Sequence, residues 1–256
     1  MRRTNLVLAV AGAFLCCAAS FATTQSGFGL NLLVNGAERP EYRGRGSVYV
    51  EAVRGSDYAI RITNPTPYRV AVALSVDGLN TIDARHTAPW DAAKWVLDPY
   101  ESAVISGWQV NRQTARRFYF TGETDSYGAA IGHSENLGII EAVFFRERPS
   151  AIDTFLDRRS APAPSARNQA SPASAGAAKS EVALSDDYAA TGMGDRTHHS
   201  VRTVDIHLVP QPVASMRIRY EFRPQLVKLG ILPSLGAAPL ERREHARGFE
   251  SYCPEP

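Results

Sequence analysis

Apolar residues recur at every second position through much of this chain. Tyr58, Ile60 and Ile62 alternate with Ala59, Arg61 and Thr63, and Val70, Val72, Leu74 and Val76 alternate with Arg69, Ala71, Ala73 and Ser75. A two-residue period puts each set on its own face of a strand, so both stretches predict half-buried β-strands. Asn64-Pro65-Thr66-Pro67 separates them, because each proline lacks a backbone donor and fixes φ. Asp77-Gly78 closes the second stretch, and an Asp-Gly pair between apolar alternations signals a two-residue hairpin turn. Three strands in succession with turn chemistry between them predict antiparallel β-structure organised around Tyr58 to Asp83.

The same reading extends both ways. Residues 23–46 read as a leader, one short strand around Leu30 to Val34, and a loop ending in Arg43-Gly44-Arg45-Gly46. Val48 to Ala52, Lys94 to Leu97, Ser102 to Trp108, Arg117 to Thr121 and Leu137 to Phe145 read as further strands of a main block over 47–148. In Ser102 to Trp108, Val104, Ser106 and Trp108 fall on one face. Residues 149–198 read as a disordered insertion and loop, because Ala, Ser and Pro dominate Ser160 to Ser180 and offer no large apolar side chain to offset ordering entropy. Over 199–232 the alternation returns, in Val201 to Val209 and Ala214 to Arg223. A short helix follows at Gln225 to Leu229, with Pro224 in its first turn and Gly230 at its end. Residues 233–256 read as a flexible tail.

A two-stranded hairpin alone is marginal in water, so the C-terminal strands are expected to complete the first assembly rather than stand apart. About nine to eleven short strands with no helical period between them predict an all-β fold, an antiparallel, jelly-roll-like β-sandwich with one short C-terminal helix and a disordered internal linker.

Composition adds a compartment. Arg2 and Arg3 precede an apolar run from Leu6 to Ala19, and Ser20-Phe21-Ala22 offers small residues before a cut. Residues 1–22 therefore read as a secretory signal peptide, and the chain as periplasmic or extracellular. No later run is long enough to cross a bilayer as a helix. Loss of the signal takes two arginines and no acids, so 28 basic residues become 26, against 26 acidic ones. A near-neutral chain lacks the basic excess of a nucleic-acid binder. Cys16 and Cys17 leave with the signal, and Cys253 alone makes no internal disulfide.

Candidate chemistry is sparse. Gly132-His133-Ser134-Glu135-Asn136 is one residue from a G-x-S-x-G nucleophile elbow, but Asn136 replaces the second glycine and a strand follows where a helix is needed. His198, His199 and His207 lack the spacing of zinc ligands, and Asp77, Asn80 and Asp83 lack the alternation of a calcium loop. Gly44-x-Gly46 and Gly192-x-Gly194 lack the strand-to-helix context of a phosphate cradle. No catalytic residue, metal or cofactor is assigned. Trp90, Trp95 and Trp108, with Tyr100, would suit a sugar platform if exposed, although core packing is the commoner use of tryptophan. Loops of a sandwich carry function more often than its strands. The candidate binding residues are therefore Asn64, Tyr68, His86, Trp90, Tyr127 and His133, on Asn64 to Tyr68, Arg85 to Trp90 and Gly122 to Asn136.

SVDGLNTID, KWVLDPYESAVISGWQV, the SYG at Ser126, NLGIIEAVFF, TGMGDR and MRIRYEFRPQLVKLGILP resemble segments of a group of exported bacterial β-rich proteins. The resemblance implies export and an ordered domain, and carries over no activity, ligand or site. Three functions follow as expectations: a non-enzymatic interaction or structural protein of the periplasm or cell surface, then a carbohydrate-binding module, then a serine hydrolase using Ser134. The expected partner is a protein or a cell-envelope component, with carbohydrate as the alternative.

Overall fold

The computed structural model describes residues 23–149 and 187–234. The expected signal segment, the Ala/Ser/Pro tract and most of the expected tail, with Cys253, lie outside the described residues. Tyr58, Ile60 and Ile62 are buried as their alternation requires, and so are Val70, Val72, Leu74 and Val76. They face each other across one core from opposite sheets.

The first sheet contains β1 (Thr23–Gln25), β2 (Phe28–Val34), β3 (Ala37–Glu38), β6 (Asp57–Thr63), β10 (Ser102–Ile105), β11 (Gly107–Gln109), β12 (Thr114–Gly122) and β14 (Ala189–His198). The second contains β4 (Glu41–Gly44), β5 (Ser47–Ala52), β7 (Val70–Val76), β8 (Leu79–Asn80), β9 (Trp95–Leu97), β13 (Ile139–Glu147) and β15 (Leu208–Phe222), with β4, β5, β15, β13, β7 and β8 side by side in that order. All pairs are antiparallel except β5 with β15, which run parallel. The chain forms the all-β sandwich that its alternation predicts. Two short helices accompany it, α1 (Tyr127–Ala130) and α2 (Arg223–Lys228), where one was expected. In α2, Pro224 sits in the first turn, and Gly230 beyond its end takes a positive φ of 72°.

Several local expectations are corrected. Residues 23–46 are not a leader and loop but four strands. Ser26-Gly27, Asn35-Gly36 and Arg45-Gly46 have positive φ at both positions and turn β1 into β2, β2 into β3 and β4 into β5, as Asp77-Gly78 turns β7 into β8. The alternation of β2 is hidden because both of its faces are buried. Residues 189–198 are not a loop but β14, whose small side chains give little apolar signal. Gly192 leaves room for the ring of Tyr119, since a Cβ there would fall 2.2 Å from Tyr119 Cζ. Val201 to His207 is not strand; it carries the chain from β14 in one sheet to β15 in the other. Ser102 to Trp108 is not one strand either. It breaks at Ser106, β10 pairing with β6 and β11 with β12, so the parity slips: Val104 is exposed while Ile105 and Trp108 are buried.

Strands β6 and β7 do not pair, because Asn64 to Tyr68 carries the chain across the sandwich. Asn64 is fully buried and organises the crossing. Its Nδ2 donates to the carbonyls of Tyr68 (2.8 Å) and Asp98 (2.9 Å), and its Oδ1 accepts from the Thr66 amide (3.0 Å) and from the Thr66 hydroxyl. Replacing Asn64 with alanine leaves buried donors and acceptors unpaired, each at a cost of about 1–3 kcal/mol. Urea unfolding of Asn64→Ala is expected to show a loss of roughly 2–4 kcal/mol, against under about 1 kcal/mol for exposed His133→Ala.

Candidate functional site

The strand β15 alternates cleanly: Ala214, Met216, Ile218, Tyr220 and Phe222 enter the core, which turns Arg217 and Arg219 to the outer face of the seven-stranded sheet. Opposite Arg217 on β13 is Glu141, and Arg217 Nη2 donates to its Oε1 at 3.0 Å. Parallel pairing sets Arg219 opposite Tyr49, which puts Ser47 on that same outer face, and Arg43, opposite Val48 near the antiparallel β4–β5 turn, borders the end of it. The result is a groove of about 740 Å³ lined by Arg43, Ser47, Glu141, Arg217 and Arg219. A second groove of about 360 Å³ adjoins it, lined by Ser75, Asn80, Arg85, His86 and Asn136 as well as Glu141 and Arg217. Since those last two residues belong to both, the grooves form one trough across β15 and β13.

Two ridges bound the trough. On one side the chain after α2 packs its Ile231 against Gly44, where a Cβ would lie 2.4 Å from Ile231 Cδ1. On the other stands the loop from Arg85 to Asp91. His86 Nδ1 lies 2.8 Å from the Gly78 carbonyl, Asn80 Nδ2 donates to the Ala93 carbonyl at 2.7 Å, and the Trp90 ring meets Phe145 edge-on at 5.4 Å. Among the described residues, Arg43 and Arg85 have no ion-pair partner, and Arg219 has only the neighbouring charge of Glu221. The trough therefore carries more positive than negative charge, although the whole chain has a formal net charge of only +2.

Beneath one end of the trough lies a buried polar chain. Asp77 Oδ1 accepts from the Tyr220 hydroxyl and from the Gly138 amide at 2.9 Å, and Oδ2 accepts from the Thr191 amide at 2.8 Å. Because Tyr220 gives its proton to Asp77, Thr191 Oγ1 donates to Tyr220 (2.6 Å) and Tyr58 donates to Thr191 (2.6 Å). Burial pushes the Asp77 carboxyl up to about 6, against the opposing pull of these donors. Burial first, and the Asp77 charge second, hold both tyrosines well above the usual phenol range. Perturbed acids often mark active sites. Here all four side chains are buried in the sandwich interior and each hydroxyl proton already has an acceptor, so the chain joins the sheets rather than meeting a substrate.

Of the six residues nominated from sequence, only His86 lines the trough, and Trp90 stands exposed on the same loop. Asn64 is internal. Tyr68 is half-buried under the Arg146 guanidinium, 4.0 Å from its ring centre. Tyr127 is half-buried in α1, 5.0 Å from the Trp108 ring, and His133 is exposed on the turn beyond α1. The tryptophans make no platform: Trp108 is buried, Trp95 is half-buried and donates its Nε1 to Thr81, and Trp90 is alone at the surface. His199 pairs with Gln109 Oε1 at 2.7 Å, and burial, with the His198 charge second, holds it below the usual imidazole range. Among the described residues no cluster of three His, Cys, Asp or Glu side chains is arranged to hold a metal. Ser134 is exposed, and the strand β13 follows it in place of an elbow helix.

Sequence reasoning missed Arg43 and Glu141 and reached Arg85 only as the first residue of a candidate loop. The alternation in Ala214 to Arg223 puts Arg217 and Arg219 on one strand face, but sequence does not say which side chains stand beside them. Comparison with protein-family models, curated proteins and solved structures finds no match for this chain. The likeness to exported bacterial proteins thus rests on the sequence segments alone.

A folded-state value near 6 against an ordinary 3.8 means that folded Asp77 takes up its proton first as pH falls. This group therefore adds stability on acidification through that window, and the gain is lost as pH rises through 6. Relative to Asp77→Asn, which does not titrate, the wild type is expected to gain about 2 kcal/mol between pH 7 and pH 4 in urea unfolding. A difference that stays flat or runs the other way would contradict the assignment.

Proposed function

We propose that this chain is an exported, non-enzymatic β-sandwich that holds a partner of the bacterial periplasm or cell surface against the outer face of its seven-stranded sheet. The trough carries this reading: two grooves merge over Arg217 and Glu141 between two ridges, while the perturbed acid and phenols are sealed in the core. A rigid strand floor presents fixed side chains with little ordering cost on binding, which suits recognition. Export is supported by the basic and apolar character of residues 1–22. A carbohydrate-binding role is favoured by the exposure of Trp90 and Tyr100, but Trp90, with Lys94 Nζ 5.6 Å from its ring centre, offers a poor stacking surface.

Two measurements bear on this. Intact mass of the chain recovered from the periplasm or medium is expected to lack residues 1–22; retention of that segment would remove export. A photo-crosslinking residue placed at Ser47, in the trough floor, is expected to capture a partner in cells. The same residue at Val104, exposed on the other sheet, is expected to capture none. Equal capture from both positions, or capture from Val104 alone, would remove the trough as the binding face.

A further inference from the structure

We infer that the trough takes an extended, acidic segment of another polypeptide, with its carboxylates on Arg43, Arg219 and Arg85. This rests on the trough being the binding face. The first support is charge: these three guanidinium groups lack an ion pair among the described residues, and the acid of the trough, Glu141, is already bonded to Arg217. Arginine at a carboxylate site matches two oxygens with a planar fork, as a point charge does not.

The second support is reach. Arg43 lies two strands from β15 on one side, and the hairpin carrying the Arg85 loop lies two strands away on the other, each about 10 Å off. A segment crossing the sheet thus meets cations along roughly 20 Å, some six extended residues. The third support is the rim. Trp90 stands exposed on the same loop as Arg85, and tryptophan and arginine are the side chains that most often anchor protein interfaces. A free anion would have no use for it.

The test uses the mature chain and a labelled peptide of alternating Glu and Ser, with a Lys-Ser peptide, sulfated dextran and a neutral β-glucan as comparison probes. Amide shifts on β15, β13 and β4 are expected with the Glu-Ser peptide and with no other probe. Arg43→Ser/Arg219→Ser is expected to weaken that binding roughly tenfold or more, with the urea midpoint unchanged. Equal or tighter binding of sulfated dextran at the same residues would overturn the polypeptide assignment, the ligand then being any polyanion. Trough shifts with the β-glucan and none with the Glu-Ser peptide would overturn the acidic partner and leave the trough as a binding face. No trough shifts with any probe would overturn both this inference and the reading beneath it.

Discussion

One buried carboxylate joins the two sheets of this sandwich. Asp77 sits in the β7–β8 turn of the second sheet, yet it receives the Thr191 amide of β14 in the first sheet, together with the Gly138 amide before β13 and the hydroxyl of Tyr220 on β15. Isolated burial of such a charge would be prohibitive, and three converging donors are what make it tolerable. Those donors come from three separate stretches of chain, so their positions are coupled through one acceptor. Tyr58 extends the coupling into the aromatic core, stacked on Phe120 at 4.3 Å between ring centres.

The same interaction shapes the surface. β14 pairs with β12, and two of its remaining amides, those of Ala189 and Thr191, are taken by Glu221 and Asp77 of the opposite sheet. Carboxylates thus occupy groups that another strand would otherwise pair with, a recognised way of blunting a sheet edge. Above Asp77, the Gly78 carbonyl faces His86 and the Asn136 side chain packs against Gly78, so the Arg85 ridge is referenced to the buried chain. Burial in the core and placement of the trough wall are consequences of one hairpin turn.

Both sheets carry matched and unmatched arginines, Arg196 of β14 having no ion pair among the described residues. On the eight-stranded sheet, Arg61 pairs with Glu38 and Arg117 with Asp57, and the Tyr119 ring lies over Gly192. On the seven-stranded sheet, Arg217 is matched by Glu141, while Arg43 and Arg85 have no such partner among the described residues. Exposed ion pairs contribute little to stability, so neither set decides the fold.

Much of the fold was legible in the chain. Alternation in β6, β7 and β15 names the core side chains, Pro224 and Gly230 bracket α2, and Asp77-Gly78 marks its hairpin. Three further Xaa-Gly turns were written in the same chemistry, in a stretch whose doubly buried β2 hid the period. β14 was illegible because its contribution is smallness: alanine, threonine and glycine that admit Tyr119 and Asp77. Side-chain period and turn residues are local properties, set by sterics within a few residues, so the sequence alone decided that this is a two-faced β protein and which residues face inward. Which strands lie side by side depends on closing long loops around a shared core. Only the tertiary structure could therefore place Arg43 beside Arg219, assign Asn64 to a crossing rather than a binding loop, and send a turn aspartate into the interior to meet two tyrosines.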